Sequence, residues 1–188
     1  MFRNLLLLGV ETCLTPPSAM KILLNIAFLL LLLPVAATAQ TSLRVGSPAP
    51  AFSGNAMDGT CNALSELRGK VVVLTFWSTK CEICRHEFPK VNQMVKSYEN
   101  RNVVFLALTM ENEAKVEAYL KKNQLAPTIL PNSFGVVLQY ADRTAEDRID
   151  MGFPSFFVID KAGTIQYRSS GFDRTASMNA VIERLAAK

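Results

Sequence analysis

The chain has 188 residues, 49% of them hydrophobic and 19% charged, and a formal net charge of +4. This length fits one domain of ordinary size and argues against a two-domain enzyme. The hydrophobic fraction excludes an intrinsically disordered or low-complexity chain. Because 20 basic residues stand against 16 acidic ones, with no basic cluster interleaved with aromatics, the composition also argues against a nucleic-acid partner.

The N-terminal segment has the pattern of a secretory signal peptide. A short basic start at Met20 is followed by an apolar stretch, a proline and an Ala-x-Ala pattern that ends at Ala39. We expect translation from Met20 and cleavage after Ala39, so that residues 1–39 form an extension with the signal and residues 40–188 form one domain. If the signal is not cleaved, it anchors the protein in a membrane, although residues 22–33 span only about 18 Å of a roughly 30 Å hydrocarbon core. The pattern predicts a periplasmic or otherwise secreted protein.

The first elements after the signal are two short strand candidates, residues 51–53 and 60–64. The turn sequence Asp58-Gly59 lies between them, and such a turn joins the strands of a β-hairpin. We therefore expect a β-hairpin at the start of the domain.

Two continuous apolar runs, residues 71–76 and 103–108, follow the hairpin. Runs of this kind are typical of strands buried on both faces of a sheet. Between them, apolar residues recur at helical spacing on one face, and this face comprises Phe88, Val91, Met94, Val95 and Tyr98. Two buried strands joined by a helix predict a right-handed crossover and parallel pairing, and therefore an α/β domain.

The second half of the domain is less regular. Residues 111–123 predict a helix, residues 155–159 and 164–168 predict a hairpin, and residues 175–187 predict a last helix. The segment between residues 126 and 152 is ambiguous. It contains a short strand candidate at 128–130 and a stretch at 134–140 that fits a strand or a helix equally well.

Three cysteines remain after the predicted cleavage, Cys61, Cys81 and Cys84. An odd number excludes a scaffold in which every cysteine is paired within the chain. Cys81 and Cys84 open the helix that follows the first buried strand, where free N–H groups and the macrodipole stabilise a thiolate and lower the pKa of Cys81. Cys84 lies on the same helical face. Because so short a disulfide loop adds little stability, the pair predicts reversible redox chemistry.

Other interpretations of the cysteine pair are weaker. A structural zinc site needs four ligands, and Cys61 and His86 are the only other cysteine and histidine available. Covalent haem attachment needs a histidine directly after Cys84, where Arg85 stands. A metal-binding carrier that uses Cys81, Cys84 and His86 stays open as a non-enzymatic alternative.

Two segments resemble thioredoxin-like proteins of the TlpA/ResA type, in the AhpC/TSA and thioredoxin superfamily. Residues 69–89 are similar to that family's pattern G-K-x-x-x-x-x-F-W-A-x-W-C-x-P-C-R-x-E-x-P, and residues 152–160 are similar to G-x-P-T-x-F-x-I-D. The resemblance covers nearly all of residues 43–188. It implies a thioredoxin-like α/β fold, in which helices flank a central mixed sheet and the predicted hairpin is an N-terminal extension.

The resemblance also implies an activity, that of a thiol-disulfide oxidoreductase without a cofactor. Cys81 attacks a disulfide in a protein substrate and Cys84 resolves the mixed disulfide. The implied direction is reduction, with a membrane thiol reductase as electron donor and cytochrome c maturation as a possible setting. We expect a monomer.

The second segment suggests how a substrate binds. By the resemblance, Pro154 is a cis-proline that faces the cysteines, and the backbone of Phe153 is free to pair with a substrate strand. The alternative is a trans proline that merely begins an edge strand.

Several residues near the cysteines depart from the family pattern. Lys80 replaces an aromatic residue and Ile83 replaces a proline. Lys80 stabilises a thiolate at Cys81 and Glu82 opposes it, so the two effects on the pKa of the Cys81 thiol have opposite signs.

The proton of Cys84 needs a partner, because Thr75 stands where thioredoxin itself carries a buried acid. Glu87 in the first helix and Glu111 after the second buried strand are the candidates, since sites in parallel sheets form at the carboxyl ends of strands. Glutamates at such positions are more often solvated surface residues.

Three further expectations concern residues around the motif. We expect Trp77 to pack beside the cysteines, His86 to be exposed, and Cys61 to be a small core residue, with intermolecular pairing as its alternative. An alternative enzyme class is a peroxiredoxin-like peroxidase. Its reactive cysteine follows a Pro-x-x-x-Thr-x-x-Cys pattern, but Leu74 and Ser78 occupy those positions.

Overall fold

The computed structural model describes residues 43–144, 146 and 148–187. The predicted signal peptide, its cleavage site and the start at Met20 lie outside this range. Within it, no helix has the length and apolar character needed to cross a membrane. In chain order the elements are β1 (Ser53–Asn55), β2 (Cys61–Ala63), β3 (Val71–Phe76), α1 (Glu82–Ser97), β4 (Val103–Leu108), α2 (Glu113–Leu120), β5 (Thr128–Leu130), α3 (Phe134–Tyr140), β6 (Asp142–Arg143), β7 (Ile149–Asp150), β8 (Ser155–Ile159), β9 (Ile165–Ser170) and α4 (Thr175–Ala186).

A mixed five-stranded sheet organises the domain, in the order β5-β4-β3-β8-β9. Strands β3, β4 and β5 are parallel, whereas β8 is antiparallel to both β3 and β9. Every residue of β3 and of β8 is buried, as expected of central strands covered on both faces. The predicted crossover, the parallel pair and the C-terminal hairpin are confirmed.

Helices cover both faces of the sheet. On one face, α1 and α4 pack on β3 and β8 through a cluster centred on Val91, Val73, Val158 and Ile182. On the other face, α3 packs through Tyr140 against a second cluster formed by alternate residues of the same strands. Because alternate side chains of these strands face the two clusters, the strands are apolar along almost their whole length. The observed fold is the mixed α/β architecture that the sequence predicts.

The N-terminal hairpin is also confirmed, with shifted bounds. β1 lies two residues further along than predicted, and β2 is one residue shorter at each end; together they form a separate two-stranded sheet outside the central one. Cys61 begins β2 and is exposed. The expectation that Cys61 is a core residue is therefore wrong, because a small sheet outside the core leaves this side chain in solvent.

The ambiguous segment resolves into β5, α3 and a short hairpin. Residues 134–140 are helical because Val136, Val137 and Tyr140 then share one buried face. The hairpin of β6 and β7 leads directly into the segment before Pro154. It is held to the sheet by Arg168 of β9, whose guanidinium donates to Asp142.

The second helix is shorter than predicted at both ends. It begins at Glu113 because the side chain of Asn112 caps it, accepting a hydrogen bond from the Lys115 backbone N–H at 3.0 Å. Glu111 therefore lies before the helix, at the carboxyl end of β4.

Candidate active site

The two cysteines lie where the first buried strand passes into α1. Cys81 is the N-cap of the helix, and its Sγ accepts a hydrogen bond from the backbone N–H of Cys84 at 3.1 Å. A disulfide joins the two residues, whose Cα atoms are 5.2 Å apart. Cys81 is partly exposed and Cys84 is fully buried. A reacting partner from solvent can therefore reach Cys81 but not Cys84.

Aromatic side chains pack in the buried cluster that contains Cys84. Trp77 is fully buried, and its ring packs against Phe88 and Tyr119 at centroid distances of 5.4 and 5.5 Å. Cys84 belongs to the same buried cluster. Trp77 is the only tryptophan in the chain. Because it shares a buried cluster with Cys84, a change at Cys84 alters the environment of its ring.

The loop before β8 packs on the same buried cluster as the cysteines. The peptide bond between Phe153 and Pro154 is cis, which is the conformation that the resemblance implies. Phe153 and Cys81 both pack on the buried cluster that contains Trp77 and Cys84. The fold thus brings Phe153 to the cluster of Trp77, Cys81 and Cys84, which precede it by 69 to 76 positions in the chain.

Glu111 holds the loop between β3 and Cys81. Its Oε1 accepts hydrogen bonds from the Ser78 hydroxyl at 2.7 Å and from the backbone N–H and the hydroxyl of Thr79, both at 3.2 Å. Its Oε2 accepts from the Thr109 hydroxyl. Partial burial alone would raise the pKa of Glu111, but the hydrogen bonds from Thr109, Ser78 and Thr79 outweigh it and lower that pKa. Glu111 is therefore an ionised anchor of the active-site loop.

Glu111→Gln is expected to lower stability in a pH-dependent way. Because the pKa of Glu111 is lowered on folding, its carboxylate stabilises the protein above its ordinary value of 4.5, and this contribution is lost as the pH falls through the lower folded value. The difference in melting temperature between wild type and Glu111→Gln should be largest near neutral pH and shrink below about pH 4.5. Glu117→Gln, which alters an exposed ion pair with Lys121, is the control and should change stability little. A difference that stays constant with pH would contradict this role.

Glu87 lies on the inner face of α1, one turn after Cys84, and is fully buried. Its Oε1 accepts hydrogen bonds from Lys90 Nζ at 3.0 Å and from the backbone N–H of Asp173 at 3.3 Å. Its Oε2 is buried and has no hydrogen-bond partner among the described residues. The general expectation of a solvated glutamate is therefore wrong here, because the chain between β9 and α4 covers this side of α1.

The other charged candidates lie at the surface. Glu82 is exposed and pairs with Arg85 and with His86, whose Nε2 is 3.5 Å from the Glu82 carboxylate. Its negative charge is thus partly neutralised by neighbours. Lys80 is exposed. The described residues contain no group of three or more His, Cys, Asp or Glu side chains placed to bind one metal ion.

Two residues of this site were missed by sequence reasoning. Lys90 stands three residues after Glu87, a spacing at which opposite charges pair on a helix, and this could have pointed to it. Asp173 gave no local signal, because its contact with Glu87 joins residues 86 positions apart.

A thioredoxin-like sheet that presents a Cys-x-x-Cys disulfide at the first turn of a helix defines the class of thiol-disulfide oxidoreductases. Comparison with known proteins agrees with this class. The chain belongs to the AhpC/TSA family, whose profile matches residues 45–168.

Named relatives point to the same class. The chain is 31% identical over 130 residues to the thiol-disulfide oxidoreductase ResA of Geobacillus thermodenitrificans, which covers 69% of this chain and 71% of that protein. It is 29% identical to the thioredoxin-like protein YneN of Bacillus subtilis, over 68% of this chain and 72% of that protein. A solved thiol:disulfide interchange protein of the thioredoxin family from Chlorobium tepidum superposes with a TM-score of 0.64 at 24% identity, covering 78% of this chain and 99% of that one, and shows the shared fold. The chain is thus a thiol-disulfide oxidoreductase that acts on disulfides or thiols.

Proposed function

We propose that this protein reduces disulfides of other proteins outside the cytoplasm, with Cys81 as the attacking residue and Cys84 as the resolving one. The observation that carries this assignment is the difference in accessibility between the two sulfurs at the N-terminus of α1. The exposed member of such a pair meets the substrate, and the buried member can react only with its neighbour.

The chemistry transfers two electrons. The Cys81 thiolate attacks one sulfur of the substrate disulfide, and the other substrate sulfur leaves as a thiolate and takes a proton. Cys84, on losing its proton, then attacks Cys81 Sγ and displaces the second substrate thiol. The substrate is reduced, and the Cys81–Cys84 disulfide forms.

Glu87 is the proposed acceptor of the Cys84 proton. Residues at positions i and i+3 of a helix are neighbours, and both side chains are buried on the inner face of α1. The free Oε2 of Glu87 has capacity to accept a proton, whereas both oxygens of Glu111 are occupied by Ser78, Thr79 and Thr109. Glu111 is therefore proposed as a positioning residue only.

The segment before Pro154 is the proposed binding edge for the substrate. No backbone hydrogen bond of Phe153 to another described residue is found, so its N–H and C=O are available to an extended peptide. Adding a substrate strand to such an edge supplies affinity through main-chain hydrogen bonds. Phe153 packs on the same buried cluster as Cys81, which would place a substrate disulfide near the attacking sulfur.

The compartment and partners follow from the predicted signal and the resemblance. We infer export to the periplasm or beyond and cleavage after Ala39, which leaves a thioredoxin-like domain over residues 40–188. Electrons would come from a membrane thiol reductase. One substrate class is the oxidised Cys-x-x-Cys-His segment to which haem attaches in c-type cytochromes.

Trp77 emission provides the decisive test, since it reports the redox state of the pair in defined glutathione or dithiothreitol buffers. We expect a potential near or below about −250 mV, the range of reductants, and rapid reduction of oxidised insulin by the dithiol form. A potential near −120 mV would identify an oxidant and contradict the proposed direction. Peroxide consumption without insulin reduction would contradict the activity itself.

The substrate class is tested by comparing peptides of equal length. We expect the dithiol protein to reduce an oxidised Cys-x-x-Cys-His peptide at least about tenfold faster than a matched disulfide peptide of scrambled sequence, because a positioned disulfide reacts with far less entropic cost. Equal rates would contradict selectivity for haem-attachment segments.

A further inference from the structure

A buried carboxylate one helical turn after Cys84 is paired with a lysine. Glu87 is fully buried, and one of its oxygens has no partner among the described residues. Burying a carboxylate in this way is costly unless a cation offsets its charge. Lys90 Nζ, 3.0 Å from Glu87 Oε1, is that cation.

Lys90 also ties α1 to the chain between β9 and α4. Its Nζ lies 2.9 Å from Asp173 Oδ1 and 4.9 Å from the centre of the Phe172 ring. Hydrogen bonds to Asp173, and next to Glu87, raise the pKa of Lys90, and the hydrogen bond from Lys90 lowers the pKa of Asp173. Lys90 is therefore protonated and Asp173 ionised at neutral pH. Asp173 in turn directs its backbone N–H at Glu87.

We propose that Lys90 is a positioning residue that holds the buried Glu87 carboxyl next to Cys84, and thereby sets the pH at which the Cys81 and Cys84 thiols react. This inference rests on the proposed function of the pair. A cation beside a carboxyl group favours the charged form of that group. The charged form can accept the proton of Cys84 during resolution.

Removing Lys90 should shift the pH at which the thiols react in one direction. Without the cation, the negative charge of the buried carboxylate is not offset and disfavours a thiolate beside it, so the reactive form of the thiols appears at higher pH. Around Glu87, β3 and β8 carry no titratable side chain, and Glu82 at the start of α1 lies next to Arg85 and His86. The charged side chains on the packed elements, besides Lys90 and Asp173, are Glu82, Arg85, His86, Lys96, Arg174, Glu183 and Arg184.

The test follows the rate at which iodoacetamide alkylates the reduced protein as a function of pH. In Lys90→Met the profile should move to higher pH by about one unit, so that on its rising part the rate falls about tenfold. Lys90→Arg should restore the wild-type profile, because arginine keeps the charge. Lys121→Met, which removes an exposed lysine paired with Glu117 at 3.4 Å, is the matched control and should leave the profile unchanged.

A double variant separates action through Glu87 from direct action on the sulfurs. In a Glu87→Gln background, Lys90→Met should produce a much smaller shift than in the wild type. A shift of the same size in both backgrounds, or no shift in either, would overturn the proposal. If wild type fails to reduce insulin while the shift is present, the proposed function fails and the link between Lys90 and thiol titration stands.

Discussion

Cys81→Ser is expected to abolish disulfide reduction, with insulin turnover lower than wild type by roughly three orders of magnitude or more. A serine hydroxyl at the N-cap can still accept the hydrogen bond from the Cys84 N–H, so the helix should begin at the same residue. It cannot act as the thiolate nucleophile, and the buried Cys84 is not reachable by a protein disulfide. Turnover should be measured by the precipitation of insulin under excess dithiothreitol.

Cys84→Ser and Cys61→Ser complete this series. Cys84→Ser should form mixed disulfides with substrate that are not resolved and accumulate as covalent complexes. Cys61→Ser should retain full turnover, because Cys61 is exposed on the separate N-terminal hairpin. Full activity in Cys81→Ser, or failure of Cys84→Ser to capture any substrate, would show that the two sulfurs do not have the proposed roles.

Phe157→Ala is expected to give the largest loss of stability in the domain. Phe157 lies fully buried on the central strand β8, with ring centroids 5.1 Å from Tyr140 and 5.8 Å from Phe76. The guanidinium of Arg168 lies 5.4 Å from its ring centroid. Removing the ring leaves a cavity between the sheet and α3, and such truncations cost ~3–5 kcal/mol in free energy of unfolding. Urea denaturation of the oxidised protein measures this loss as a lower midpoint with an unchanged m-value.

Phe134→Ala provides the control for that loss. Its ring is 55% exposed at the start of α3, so its removal should change the free energy of unfolding by no more than about 0.5 kcal/mol. Phe157→Leu keeps most of the side-chain volume, so its loss in free energy of unfolding should lie between those of Phe157→Ala and Phe134→Ala. Equal losses in Phe157→Ala and Phe134→Ala would contradict the assignment of Phe157 to the centre of the core.

The buried strands were predicted with exact bounds, and the surface elements were not. Residues 71–76 and 103–108 are apolar apart from Thr75, and Lys70 and Asn102 precede the two runs, so their pattern allows one interpretation. The strands of the first hairpin are short and partly polar, and their bounds depend on which residues pair across the turn. The stretch at residues 134–140 became a helix only because one of its faces could pack on Phe76 and Phe157.

Some residues of the site could likewise be predicted from the sequence, and others could not. Cys81 and Cys84 could be found from spacing and from their position after a buried strand, because both signals are local. The surroundings of Glu87 could not be found in this way, since the groups that contact its carboxyl include Asp173, which lies beyond β9 in the chain. Glu111 was identified as a candidate but not as an anchor, because its partners Ser78 and Thr79 follow a different strand.

The amino-acid sequence by itself determined the α/β class, the order of the buried strands and the redox cysteine pair, since each depends on hydrophobic pattern and spacing along the chain. Only the tertiary structure decided which cysteine is accessible, which glutamate is buried and which lysine accompanies it. Burial and ion pairing depend on contacts between segments distant in the chain, and no local pattern records those contacts.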